Sequence, residues 1–238
     1  KIVGVTYGNG LFVTVGESGT ILTSPDVTTW TERTSGTSKY LYEVTYGNGL
    51  FVTVGNSGTI LTSSDGNTWT KRTSGTSVDL LGVTYGNGLF VVVGKNGTIL
   101  ISSDVTTWTE RDSGTSKYLR GVTYGNGLFV VVGRGTIITS TDGTYWTERD
   151  SGTSEYLRGV TYGNGLFVTV GWEGTILTSS DGISWTSRTS GISKLLNGVT
   201  YGNNIFVTVG QSNIIFTSPD GDSWTKSLPI PSFRRPLL

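Results

Sequence analysis

Six otherwise matching segments of this chain carry six different side chains at one position: Glu17, Asn56, Lys95, Arg134, Trp172 and Gln211, each directly after a glycine. A second variable stretch supplies Lys39-Tyr40, Val78-Asp79, Lys117-Tyr118, Glu155-Tyr156 and Lys194-Leu195. Tyr42, Leu81, Arg120, Arg158 and Asn197 follow two residues later in turn. These types bind rather than react. They are mostly polar or aromatic, and an exposed aromatic ring can stack on a sugar face or on a protein partner. The candidate ligand-binding residues are therefore Glu17, Asn56, Lys95, Arg134, Trp172, Gln211, Tyr40, Tyr118, Tyr156, Arg120 and Arg158. Trp172 is the sharpest of them. The other six tryptophans recur at a fixed repeat position, whereas Trp172 stands in a turn beside Glu173, in the copy that holds Tyr156 and Arg158.

The chemistry open to these residues is narrow. There is no histidine and no cysteine, which removes Ser-His-Asp catalysis, imidazole and thiolate metal sites, and disulfides. A glycosidase needs two carboxyls about 5–10 Å apart, and Glu17, Glu173, Asp79 and Glu155 share the variable stretches. The near identity of the copies argues against such a pair, because an active site requires repeats that differ at several inward positions. The expectation is a non-enzymatic chain with no metal and no cofactor. Seventeen basic and 17 acidic residues cancel, and the pI is near 6.5. No basic field gathers nucleic acid or an anionic membrane, and the apolar runs are too short to span a bilayer. No targeting segment is read. Lys1 opens straight into a repeat, which suggests a trimmed chain.

A repeat positions these side chains. Val-Thr-Tyr-Gly-Asn starts at Val5, Val44, Val83, Val122, Val160 and Val199, in steps of 39, 39, 39, 38 and 39 residues. A unit of this size is one supersecondary module that cannot bury its own apolar faces. The third copy reads as four strands. Residues 82–85 form strand a, and Asn87-Gly88 makes a type I′ turn, which needs positive φ at both central residues. Residues 89–93 form strand b, 94–97 turn, and 98–102 form strand c. Residues 103–107 turn again, with Asp104 capping its own backbone, and 108–111 form strand d. Strands b and c are apolar on both faces, so both must be covered, and neighbouring copies are the material available. Six such sheets around an axis make a β-propeller. An open β-solenoid is the alternative, but the first copy lacks the end cap it would need. The prediction is an all-β, six-bladed β-propeller with four antiparallel strands per ~39-residue repeat, forming one domain over residues 1–238. Blades fall at about 1–39, 40–78, 79–117, 118–155, 156–194 and 195–227, followed by a tail at 228–238.

The third turn carries a family resemblance. Ser24-Pro25-Asp26-Val27-Thr28-Thr29-Trp30, Ser63-Ser64-Asp65-Gly66-Asn67-Thr68-Trp69 and the segments at Asp104, Asp142, Asp181 and Asp220 resemble Asp-box (BNR) repeats. That motif, Ser-x-Asp-x-Gly-x-Thr-Trp, is found in sialidase-type propellers and in bacterial propellers similar to the photosystem II assembly factor. Here tryptophan follows aspartate by four positions rather than five, so the turn is a shortened variant. The resemblance implies a structural role, away from any catalytic face, for Asp26, Asp65, Asp104, Asp142, Asp181 and Asp220 with Trp30, Trp69, Trp108, Trp146, Trp185 and Trp224. A sialidase would also need three arginines on one carboxylate, and strand a offers two, Arg120 and Arg158. Arg33, Arg72, Arg111, Arg149 and Arg188 recur on strand d, where solvation or pairing with nearby acids is expected.

In a four-strand meander the b–c turn and the d–a linker lie at one end of the blade. The variable side chains would therefore ring one mouth of the channel, and loops on a rigid scaffold carry function. The expected function is a monomeric binding module or scaffold for glycans or a protein surface, without nucleic-acid or membrane partners, in a secreted or cell-surface bacterial setting. A recently amplified or engineered propeller with no ligand is the alternative, and a glycoside hydrolase of sialidase-like fold is the second. Copy one begins at strand a and copy six ends at strand d. Ring closure would then rest on the first blade packing against the last, with residues 228–233 pressing on blade 1.

Overall fold

A computed structural model describes residues 1–227. They form six four-stranded antiparallel sheets, each in simple sequential order from strand a to strand d. In blade 3 these are Leu80–Gly86, Leu89–Gly94, Ile99–Ser102 and Thr109–Arg111. The a–b turn has the expected geometry, with φ of 47° at Asn87 and 77° at Gly88. The b–c connection is a tight 3-10 turn, Lys95–Gly97, that puts Asn96 at φ 56°. Strand a is longer than its sequence pattern indicates and runs down the inner wall of the propeller. The inner strands are Ile2–Gly8, Leu41–Gly47, Leu80–Gly86, Leu119–Gly125, Leu157–Gly163 and Leu196–Gly202.

The core lies between blades, as the two-sided apolar strands require. Blade 1 presents Leu11, Val13, Val15 and Ile21 to blade 2, which answers with Leu41, Val44, Tyr46, Phe51, Leu61 and Trp69. The same junction recurs between blades 2 and 3, 3 and 4, 4 and 5, and 5 and 6. A glycine at the end of strand a makes each junction possible. A Cβ on Gly47 would lie 2.2 Å from the Tyr85 ring of the next blade, and one on Gly8 would lie 2.1 Å from Tyr46.

Blades 6 and 1 do not repeat this junction among the described residues. Their inner strands do not pack on one another as the other neighbours do. This corrects the expectation that direct packing of the first blade on the last closes the ring. Five junctions already filled with buried side chains set the angular step between blades, and that step leaves a seam. The tail, and with it the expected contact of residues 228–233 with blade 1, lies outside the described residues.

The Asp turn of strands c and d folds alike in all six blades, except that in blade 1 Ser24 Oγ accepts from Asp26 N at 3.3 Å rather than from the next residue. In blade 3, Asp104 Oδ1 accepts hydrogen bonds from the N–H groups of Thr106 and Thr107 at 2.9 and 2.8 Å. Ser102 Oγ accepts from Val105 N at 2.8 Å, and Trp108 Nε1 donates to Val105 O at 3.1 Å. The arginines of strand d make a contact that their sequence pattern does not show. Arg33, Arg72, Arg149 and Arg188 each donate Nε to a threonine hydroxyl on strand c at 2.8 or 2.9 Å rather than pairing first with acids. Arg188 also meets Asp222 of the next blade at 2.8 Å. In blade 3 the threonine position is Ile101, and the buried Nε of Arg111 has no acceptor among the described residues.

Candidate functional site at the channel mouth

The variable residues after the d–a linker owe their placement to a β-bulge. In blade 4, Leu119 pairs with Gly133 and Gly121 pairs with Val132, which leaves Arg120 as the extra residue. Blades 2, 3, 5 and 6 bulge in the same way at Tyr42, Leu81, Arg158 and Asn197. A bulge breaks the alternation of a strand and re-aims one side chain. Here it places the variable residues of blades 2, 4, 5 and 6 at the central channel, whereas Leu81 of blade 3 is buried. Tyr42, Glu43, Arg120, Arg158 and Asn197 line a cavity there of about 400 Å³. Glycine at the next position, as at Gly82 and Gly121, lets the neighbouring blade's bulge carbonyl come close. A Cβ on these glycines would lie 2.6 Å from Arg120 O and 2.9 Å from Arg158 O.

The b–c turns are tied to the d–a linkers of their own blades. Asn56, Lys95, Arg134, Trp172 and Gln211 donate their N–H groups to the carbonyls of Tyr40, Asp79, Tyr118, Tyr156 and Leu195, all at 2.9 or 3.0 Å. The two variable stretches therefore do meet at one end of the molecule. Side-chain contacts then divide the candidate residues. Tyr40 stacks on Tyr42 with ring centroids 4.6 Å apart, and the Arg120 guanidinium lies 5.4 Å from the Tyr42 ring centroid. Lys95 pairs with Asp79 at 2.7 Å and lies 5.7 Å from the Tyr118 ring centroid. Trp172 is 48% exposed and leans on Tyr156, with centroids 6.1 Å apart. Glu17 reaches the amino terminus of Lys1 at 3.3 Å. The side chains of Asn56, Arg134 and Gln211 hydrogen-bond to no described residue; these three join the rim through backbone. Blade 4, one residue shorter in this turn, substitutes a β-bridge between Arg134 and Tyr156 of blade 5.

The electrostatics centre on the two arginines. Arg120 Nη1 donates to Leu81 O at 3.3 Å, and Arg158 Nη1 donates to Asn197 Oδ1 at 3.0 Å. Neither forms an ion pair among the described residues, and the buried Nε of Arg158 has no acceptor there. Burial lowers the Arg158 pKa, and repulsion by Arg120 lowers it further. Burial also raises the phenols of Tyr156 and Tyr40.

Glu43 belongs to the same channel, although its position in the repeat does not single it out as a ligand-binding residue. It stands where every other copy has glycine before Val-Thr-Tyr, and that departure is its signal in the sequence. Desolvation in the channel pushes its carboxyl up to about 7, against the opposing pull of the Val44 N–H and Arg120. At neutral pH a large share of Glu43 is therefore uncharged, and the arginines keep their net positive field. The six turn aspartates do not reach this region, and among the described residues no three Asp or Glu side chains converge as a metal site would require.

Fold and repeat together define a β-propeller. The DUF6242 beta propeller domain matches residues 3–119, just under half of the chain. No curated protein matches. Among solved structures the chain is similar to YCF48 from Cyanidioschyzon merolae, at 15% identity and TM-score 0.73, covering 95% of this chain and 84% of that one. It is likewise similar to YCF48 bound to D1 peptide, at 19% identity and TM-score 0.75, covering 94% and 80%. The WD40 beta propeller domain of Doa1 superposes at 15% identity and TM-score 0.74, covering 91% and 77%. At these identities the likenesses speak for the fold.

Proposed function

We propose that this propeller is a non-enzymatic binding module that takes a carboxylate-bearing peptide at the channel mouth. Arg120 and Arg158 would hold the carboxylate, and Tyr42, Tyr156 and Trp172 would pack the neighbouring residues. One observation carries the reading: two arginines share a channel mouth with no carboxylate partner among the described residues, and one has a buried donor without an acceptor. A buried unpaired donor is costly, and charge-assisted bonds to a carboxylate relieve it. A peptide-bound propeller among the similar structures, YCF48 bound to D1 peptide, supports a peptide as the ligand class. The same reading treats the six blades as one monomeric domain. It treats the Asp turns as shortened Asp-boxes with a structural role. Glycan stacking on Trp172 and Tyr156 would leave the arginines unemployed.

Fluorescence anisotropy with short acidic peptides, each paired with a form whose carboxylates are amidated, tests this. Binding should be lost on amidation and should weaken at least about tenfold in Arg158→Ala and in Arg120→Ala, the scale of truncating one member of a buried charge pair. It should also fall with added salt. Binding of glycans that depends on Trp172 but survives both arginine substitutions would overturn the proposal.

A further inference from the structure

The seam between blades 6 and 1 exposes the two halves of a junction that is packed everywhere else. On blade 1, Ile2, Val5 and Tyr7 correspond to Leu41, Val44 and Tyr46, which fill the junction in blade 2. Val5 is 61% exposed where Val44 is 3% exposed, and Tyr7 is 58% exposed. Val27 and Trp30, in the Asp turn of the same face, are exposed as well, whereas the matching Val105 of blade 3 is buried against blade 2. On blade 6 the complementary features are open. A Cβ on Gly202 would meet no described residue within 4 Å, although the matching Gly163 is filled by the Tyr201 ring at 2.1 Å. Gly198 is equally free, and Val209 is 47% exposed where Val15 is fully buried.

We propose that this seam is a docking site for one further blade of the same repeat. Its tyrosine would enter the pocket over Gly202, and its own strand-end glycine would receive Tyr7. The occupant is specified by continuity with an established interface. Five junctions of one design run through the molecule, and each exposed face is the unused half of that design. A partner that satisfies both faces must carry both halves, a Tyr-bearing face on one side and a glycine-bearing face on the other, and each internal blade of this chain does so. An apolar patch of this kind marks an interaction surface. Direct closure of blade 1 onto blade 6 would require a different angular step at all five packed junctions, whereas an added blade leaves them unchanged.

The test compares the chain as it stands with a version extended after Ser227 by a copy of residues 150–188, which supplies the d–a linker and all four strands of a blade. Thermal unfolding and light scattering are measured for both. The extension should raise the Tm by at least about 5 °C, as expected when another junction of several buried side chains is formed, and both proteins should remain monomeric. Gly202→Ala should abolish that gain in the extended protein and leave the unextended chain unchanged, while Gly163→Ala should destabilise both. Tyr7→Ser should be silent in the unextended chain.

An extended protein that is no more stable would overturn the proposal. Should the extended protein fail to fold, the unextended chain still decides. A loss of Tm with Gly202→Ala or Tyr7→Ser would show that the faces are already covered by each other. Loss of that effect on removing residues 228–238 would assign the cover to the tail. A dimer dissociated by Tyr7→Ser would assign it to a second copy. Each of these results excludes a further blade.

Discussion

Glu43 shows how one residue can couple the channel to pH. Its carboxyl is raised from the usual 4.5 to about 7 because the folded channel desolvates it. A group raised on folding favours the native state below its unfolded pKa, and that advantage is lost as pH climbs through the folded value. Between about pH 4.5 and 7 the protein should therefore lose stability. The loss should reach about 3 kcal/mol at most, since each tenfold change in proton affinity is worth about 1.4 kcal/mol. Glu43→Gln keeps the shape and removes the charge. Denaturant unfolding should show the variant equal to the parent at pH 4 and more stable at pH 8, and equal curves at both values would refute the account. Glu43 was legible in the sequence as the one break in a glycine column. Its protonation was not, because desolvation depends on how closely the inner strands approach, which no repeat pattern states. The partner of the strand-d arginines was hidden for a similar reason. The alternation puts Arg72 and Thr62 on the same sheet, but only the c–d register makes Thr62, rather than an acid, the acceptor at 2.9 Å.

At the scale of the element, the Asp turn is the most regular device in the molecule. In blade 1 the N–H groups of Thr29 and Thr28 hold the Asp26 carboxyl down at about 2. The sign is opposite to that of Glu43. A carboxylate depressed on folding stabilises above its unfolded pKa near 3.8 and loses that contribution as pH falls toward 2. Asp26→Ala should lower the Tm at pH 7, and the gap to the parent should close on acidification through that window. A constant gap down to pH 2 would mean that the turn depends on shape rather than on charge. These turns and the Asn-Gly hairpins were readable because their chemistry is local, set by residues two or three apart. The bulge that aims Arg120 and Arg158 was not readable. It is a mismatch between strands a and b, visible only when Leu119 and Gly121 are both paired across to strand b. Sequence alone placed the variable residues at one end of the blades, and the bulge supplies their direction.

For the whole molecule, the repeat made the blade count and the two-sided core evident, but not the seam. Closure depends on the angle between adjacent sheets, and that angle is set by the bulk of the packed side chains rather than by their periodicity. An open array of like modules has a consequence for its dynamics. When each unit contacts only its neighbours, stability is a sum of unit and junction terms, and the end units are held from one side alone. Blades 1 and 6 each have one junction, and blades 3 and 4 each have two with a junction shared between them. Native-state hydrogen exchange should therefore be slowest for the strand-b amides of blades 3 and 4, such as those of Val91–Val93 and Val130–Val132, and fastest for their counterparts in blades 1 and 6. Strand b is paired on both sides in every blade, so a gradient among its amides would report chiefly the junctions. Uniform protection around all six blades would show that blades 1 and 6 are held from both sides in solution. The arginine pair lies on blades 4 and 5, inside the part of the array expected to open last, which would keep the proposed peptide site preorganised even if blades 1 and 6 open first.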